Sequence, residues 1–475
     1  MLDYFSCMSY VVDFVKSFTD AELLLFKKLD VTGKEEAVRD EYVRSKGNKN
    51  FSEAQVCKRL QISQTHLDKI NSVLLNKTVY ALYGKDYYRA LSGILQKGLT
   101  ALFFHELKIT ERRILRWKET DSLVVFYRAA FENLRSMFHP AYNAKLTQSF
   151  GERYLKALGR KKTIADECYV SMMVLYGNIL QADFSGGGKI FSPIALKQIQ
   201  QSKQRYYGQV NDTCDFYIDF TEAAYHKHLA EDATAFVGAL ERAYKRCKNA
   251  DAVVQQKYEG IVLCELGFGL MCINRFEEAK CKYAEAFKKF PDTLGKTFYH
   301  AGNYFATALC DKDYGMAQEV FDRHLRPRIQ PATNRSVLFD IYFMAVWLQL
   351  HVKNYTRATE YLRLLQQYKR TEITLMGQAM LRQVECAYFF LKGDAATAYT
   401  VTDRNLRQLK KMYAQSPTFE YYYDYVDVIH QLLRLQKGVL RFPQKLSEQL
   451  EALPSGLNQV YNLPLQEAAA KLLPK

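Results

Sequence analysis

Any chemistry in this chain would have to arise at a few places. Ser185-Gly186-Gly187-Gly188-Lys189-Ile190 has the glycines and the lysine of a phosphate-cradling loop. Two positions argue against that use. Asp183 stands where such a loop needs glycine, and Ile190 replaces the hydroxyl that would bind magnesium. The stretch 185–189 reads better as a connector between helical regions. His226-x-His228 is the only close histidine pair, and a spacing of two on a helix turns the rings to different faces. Shared metal ligation there is not expected. The motifs H-E-x-x-H and G-x-S-x-G do not occur, nor does a paired-acid signature. The ten cysteines include no C-x-x-C pair and mostly sit among apolar neighbours, which predicts reduced, buried thiols. The expectation is a non-enzyme with no cofactor and no metal.

Binding to a polyanion has more support. The chain carries +15 overall, and residues 46–170 hold 22 basic against 11 acidic residues. Such a block is either an electrostatic footprint or the solvated face of ordinary helices. Within it, residues 52–70 have the pattern of a helix-turn-helix. Ser52 would cap the first helix, Val56 and Leu60 face inward, Ile62-Ser63 make the turn, and Leu67 with Ile70 anchor the second helix. Gln64, Thr65, His66 and Lys69 would then point into a DNA major groove. Cys57 replaces the usual alanine, and Gln61 the glycine that a positive-φ turn favours. The same residues allow another reading: Asp86-Tyr87-Tyr88-Arg89-Ala90 would make 64–82 the first half of a helical hairpin. Further on, Arg112, Arg113 and Arg116 lie near one helical face, with Trp117 opposite, suited either to phosphate contact or to solvent.

These positions need a scaffold, and composition says which kind. Gly 23 and Pro 10 in 475 residues make about 7%, against roughly 12% in ordinary chains. So few punctuating residues predict long helices. The start, Met1 to Phe5, lacks a cationic leader, and no apolar run reaches the roughly 18 residues of a membrane helix. The expectation is a cytoplasmic protein without membrane insertion.

Self-similarity appears in the second half. Ala239, Ala279, Ala317, Ala358 and Ala398 follow one another at 40, 38, 41 and 40 residues. Phe236, Phe276, Tyr314, Tyr355 and Ala395 stand three positions before them. Asn274, Asp313, Asn354 and Asp394 lie just upstream of four. Each unit reads as two antiparallel helices crossing at the alanine, where a larger side chain would hold the backbones apart. Neither helix buries its apolar stripe alone, so neighbouring pairs must stack.

One unit carries a resemblance. Leu263-x-x-Leu266-Gly267-x-x-Leu270, then Ala279, Tyr283, Ala286 and Pro291, resembles the tetratricopeptide-repeat pattern, with Leu263 for the usual tryptophan and Leu270 for the usual tyrosine. The likeness is clearest at 258–292 and extends over about 220–425. It implies an all-α, right-handed α-solenoid of helical hairpins that holds a protein or peptide on the face of its first helices. The family's groove positions fall on Ile261, Cys264, Phe268 and Met271, with Asn303, Tyr342 and Val346 as equivalents in the next two units. The alternative is that these side chains pack against a neighbouring helix or the C-terminal segment. Tyr421-Tyr422-Tyr423-Asp424-Tyr425 would pack within a hairpin, its hydroxyls reaching the surface.

The expected organisation is an N-terminal helical region at 1–150, a connector at 151–220, the repeats at 221–425 and a cap at 426–475. Pro443, Pro454 and Pro464 would divide the cap into short helices. The leading reading is a protein-binding adaptor or scaffold. The alternative is a transcriptional regulator in which 52–70 read DNA while the repeats sense a protein or peptide.

Overall fold

The computed structural model describes residues 8–46, 51–84, 86–97, 99–117, 119–135, 144–209, 212–289, 296–329, 335–369, 371–438, 443–453 and 459–470. Met1 to Phe5, Pro291 and Pro454 lie outside them, as does the side chain of Trp117. All regular structure among the described residues is helical. The chain divides into two compact units, Met1–Gln255 and Gln256–Lys475. The boundaries expected at 150, 220 and 425 followed composition and repeat register. This division follows contacts.

The first unit opens with α1 (Met8–Lys16), α2 (Asp20–Lys27), α3 (Lys34–Arg44) and α4 (Glu53–Leu60), each packed on the long α5 (Gln64–Tyr83). Leu67, Ile70 and Leu74 of α5 are buried, as are Phe14, Phe26, Val38 and Val56 of the helices packed on it. Then come α6 (Tyr87–Gln96), α7 (Thr100–Trp117), α8 (Thr120–Arg135), α9 (Ala144–Leu158), α10 (Ile164–Phe184), α11 (Gly188–Tyr206), α12 (Asp212–His228) and α13 (Ala233–Cys247). They pack in consecutive pairs, α6 with α7 through α12 with α13. Each first helix also touches the next first helix, and each second helix touches the next pair. This order starts well before the repeat is visible in the sequence. At Gly151 of α9 an added Cβ would lie 2.7 Å from Val170 and 3.1 Å from Phe131, so the neighbouring helices close on a bare backbone.

The second unit repeats that arrangement. Its helices are α14 (Ala252–Cys272), α15 (Phe276–Lys289), α16 (Lys296–Cys310), α17 (Tyr314–Val320), α18 (Arg335–His351), α19 (Tyr355–Gln366), α20 (Leu375–Lys392), α21 (Ala395–Gln415), α22 (Glu420–Gln436), α23 (Pro443–Ala452) and α24 (Gln459–Ala469). From α16 onward, first helices meet first helices (α16, α18, α20, α22), and each second helix meets the next first helix. A Cβ on Gly267 would come within 2.8 Å of the Tyr283 ring, so the α14–α15 crossing has no room for one. All five spaced alanines have 0% exposure, Ala239 in the first unit and the other four in the second.

One turn recurs in the second unit. Asn274, Lys312, Lys353 and Gly393 take left-handed backbone at φ +61°, +61°, +58° and +84°. The following amide reaches back five residues, as in Arg275 N to Leu270 O (2.9 Å), Asp313 N to Ala308 O (2.9 Å) and Asn354 N to Gln349 O (2.8 Å). Those bonds satisfy carbonyls that the ending helix leaves open. Asp313, Asn354 and Asp394 then cap the next helix, accepting from the amides of Met316, Arg357 and Thr397. Asn274 differs: it supplies the left-handed residue and Arg275 holds the cap position. In the first unit Asp232 caps α13 from seven residues before its alanine, not four. Two further irregularities separate the units from an ideal repeat. The helix after Asp313 widens into a π turn at Phe321–Leu325, and Pro464 sits inside α24 instead of breaking it.

Candidate functional site

In the second unit the first helices α16, α18, α20 and α22 follow one another side by side, and a further helix, α24, lies across them. Among the described helices after α14, it alone completes no hairpin. Its Tyr461 ring packs 5.4 Å from Phe343 and 5.2 Å from Trp347, centroid to centroid. Trp347 also meets Tyr425 edge-on at 6.1 Å. Asn462, Leu465 and Ala469 are buried with them, while Glu467 is exposed. Two hydroxyls of α22 hold the helix: Tyr425 donates to the Tyr461 carbonyl at 3.0 Å, and Tyr421 to Asn462 Oδ1 at 3.0 Å. Gln383 Nε2 of α20 donates in turn to the Tyr421 hydroxyl at 3.0 Å. Burial drives the Tyr421, Tyr425 and Tyr461 hydroxyls well above the ordinary tyrosine range, so they stay protonated and able to donate. The tyrosines expected to send their hydroxyls to the surface therefore spend two of them on the C-terminal helix.

The groove residues read from the repeat pattern fall on these first helices. Ile261 and Phe268 are half-buried on α14, where Cys264 and Met271 are buried. Asn303 is half-buried on α16, and Val346 is buried on α18. Tyr342 stacks on Tyr361 of its own hairpin at 6.3 Å. The side chains that meet α24 from α18, Phe343 and Trp347, each lie one position later than Tyr342 and Val346. Gln383, Phe343 and Trp347 were not singled out from the sequence, and Tyr421 was noted only as a ring of a hairpin. The one available signal was the amphipathic character of residues 459–469, hidden by Pro464.

The helix-turn-helix pattern in the first unit corresponds to α4 and α5. Gln61 adopts φ +49° despite its side chain, and the Ile62 amide reaches the Cys57 carbonyl at 3.1 Å. Gln55 accepts from the Ser52 amide, and Ser63 caps α5 at His66 N. Thr65, His66 and Lys69 are exposed, whereas Leu60 is half-buried. Gln64 turns inward, accepting from Cys57 Sγ and donating to Asp68 at 3.1 Å. His66 and Lys69 edge a hollow of about 360 Å³ with Thr32, Lys34 and Glu35. The hairpin reading of 64–90 holds alongside it: α5 meets α6, and Asp86 caps α6 at Arg89 N. Ala90, unlike the five spaced alanines, is half-buried.

Of the three arginines on α7, Arg112 and Arg116 are exposed. Arg113 donates to Asn76 Oδ1 of α5 at 2.7 Å, so it binds two helices together. Residues 185–187 form the turn between α10 and α11, and Gly188 and Lys189 already belong to α11. His228 Nδ1 lies 2.8 Å from Asp183 Oδ2, and the two histidines of the pair do not converge. Among the described residues no three His, Cys, Asp or Glu side chains gather in metal-binding geometry. The nine described cysteines are free: Cys168, Cys214, Cys247, Cys264 and Cys386 are buried, and Cys272 and Cys281 exposed. No described helix is long and apolar enough to cross a membrane. Set against known proteins, the chain matches no family model, no curated protein and no solved structure.

Proposed function

We propose that this chain is a non-enzymatic, cytoplasmic adaptor or scaffold that binds a protein segment on the first-helix face of a right-handed, tetratricopeptide-like array. One observation supports this above the rest: four successive first helices form a face fit to take a helix, since α24 already lies on it. Stacked hairpins hold such a face preformed, which lowers the ordering cost of capture. A photo-crosslinking residue placed at Ile261, Phe268 or Asn303 in the full chain should trap a partner in cells. The same residue at Glu277 or Glu360, exposed on second helices, should not. Equal yields from both sets, or none from the first-helix positions, would reject the reading.

A second reading rests on the left-handed turn at Gln61 and the exposure of Thr65, His66 and Lys69. In it the α4–α5 pair reads duplex DNA, with Arg112 and Arg116 as further phosphate contacts. Its check is a salt titration of duplex binding, because phosphate contacts make affinity fall steeply with salt. Absence of binding at low salt removes it.

A further inference from the structure

Among the described helices of its unit, α24 differs in kind. It has 11 residues, includes Pro464, and forms no hairpin. Proline at that position leaves the Val460 carbonyl without its helical amide partner. A helix so short is marginal in water even without that loss. Its order therefore comes from the surface it lies on. What it presents to that surface is compact: Tyr461, Leu465 and Ala469 at intervals of four, with Asn462 beside them. What holds it is equally compact. An aromatic wall of Phe343 and Trp347 meets Tyr461, and two tyrosine hydroxyls hold its backbone and Asn462. The Tyr425 bond goes to a main-chain carbonyl, which any helix would offer at that place.

We infer that α24 is a resident ligand of this face, and that the partner is a short amphipathic helix bearing the same aromatic, Leu, Ala stripe, which displaces it. The inference rests on the binding role proposed above and names the chemistry of what binds there. Tethering gives α24 a high local concentration, so the incoming helix binds only the fraction of molecules with α24 undocked, and its apparent affinity falls by that fraction. Autoinhibition of this type sets a threshold. A partner is captured when its helix outcompetes the internal one.

The test uses a fluorescein-labelled peptide of residues 459–470 and two full-length chains, wild type and Leu465→Asp. A carboxylate at a position with 0% exposure expels α24 and vacates the face. The variant should bind the peptide at least ~10-fold more tightly than wild type, while a peptide with the same Leu→Asp change binds neither. Equal affinity for both chains, or no binding by a variant with unchanged helicity, would overturn the inference. Should the variant lose its helicity, native-state hydrogen exchange of the wild-type chain decides. Amides of α24 should exchange on the order of 10²-fold faster than those of α18 and α20. Equal protection would make α24 part of the core and end the proposal. Success here beside failed crosslinking in cells would leave a displaceable helix without an adaptor role, so the two readings fail separately.

Discussion

The two units solve one packing problem with different side chains. In the second, the crossings are made by alanines, and the space between helices fills with rings: Tyr283 on Tyr304 at 5.2 Å, Phe305 near Phe321, and Trp347 against Phe343 and Tyr425. The first also packs rings, such as Phe126 on Phe150 and Phe131 on Tyr169, but adds buried charged and polar networks. Glu53, Asn71 and Tyr42 share hydrogen bonds, as do Glu132, Tyr169 and Arg128. Along α12, Asp212, Asp215, Asp219 and Glu222 meet Arg246, Arg242 and Lys203 of the neighbouring helices. Exceptions exist on both sides, such as Lys280 among Glu277, Asp311 and Asp313 in the second unit. The lesson is that stacking of consecutive helix pairs does not require a repeated sequence. It requires that each interface be filled: rings do this in both units, and the first adds paired charge along α12. Volume and charge fail under different perturbations, and that is how the contrast can be broken.

The largest effect is expected from Trp347→Ala, which empties a fully buried site under α24 and should cost about 3–5 kcal/mol in the second unit. Hydrogen exchange should show loss of protection across α18, α22 and α24 and none across α8–α12. Next comes Glu106 of α7, buried with Oε1 unpartnered among the described residues. Burial pushes its carboxyl up to about 7 despite Arg113, against an ordinary 4.5. The folded state therefore holds this proton more tightly than the unfolded chain. Its contribution is full below about pH 4.5 and is lost as pH rises toward 7, by about 3 kcal/mol at most. Urea unfolding of a Trp347→Phe chain, followed through Trp117, should show that slope, and Glu106→Gln should flatten it. A slope of the same size reported by Trp347 would blur the contrast between units.

Overpacking is expected to matter less. Ala358→Leu forces a branched chain into a crossing with no exposed surface, at about 1–3 kcal/mol. The urea midpoint of a Trp117→Phe chain, followed through Trp347, measures it. Smallest is Asp394→Ala, which removes the cap on Thr397 N and should lower the urea midpoint less than Ala358→Leu does. If the cap matters only locally, exchange should rise in the first turn of α21 and nowhere else.

The hairpins of the second unit were legible because alanine, cap and aromatic recur at fixed offsets. The pairs from α6 to α12 were not, because Gly151 and the charged ladder of α12 carry no period of about forty. The first helices named from the repeat pattern include α16 and α18, two of the four that α24 covers, yet on α18 the ring-bearing contact falls on Phe343 and Trp347. A one-residue step on a helix rotates a side chain by about 100°, and a single-family pattern does not resolve that turn.

Local chemistry alone determined that this chain is helical, where its hairpins turn in the second unit, and that Asp313, Asn354 and Asp394 begin new helices. These depend on residues within one turn of one another. Tertiary structure decided that Arg113 ties α7 to α5, that Gln61 accepts a left-handed backbone, and above all that α24 lies across four helices. Each depends on groups far apart in sequence, and Pro464 makes α24 a helix that only its neighbours can stabilise.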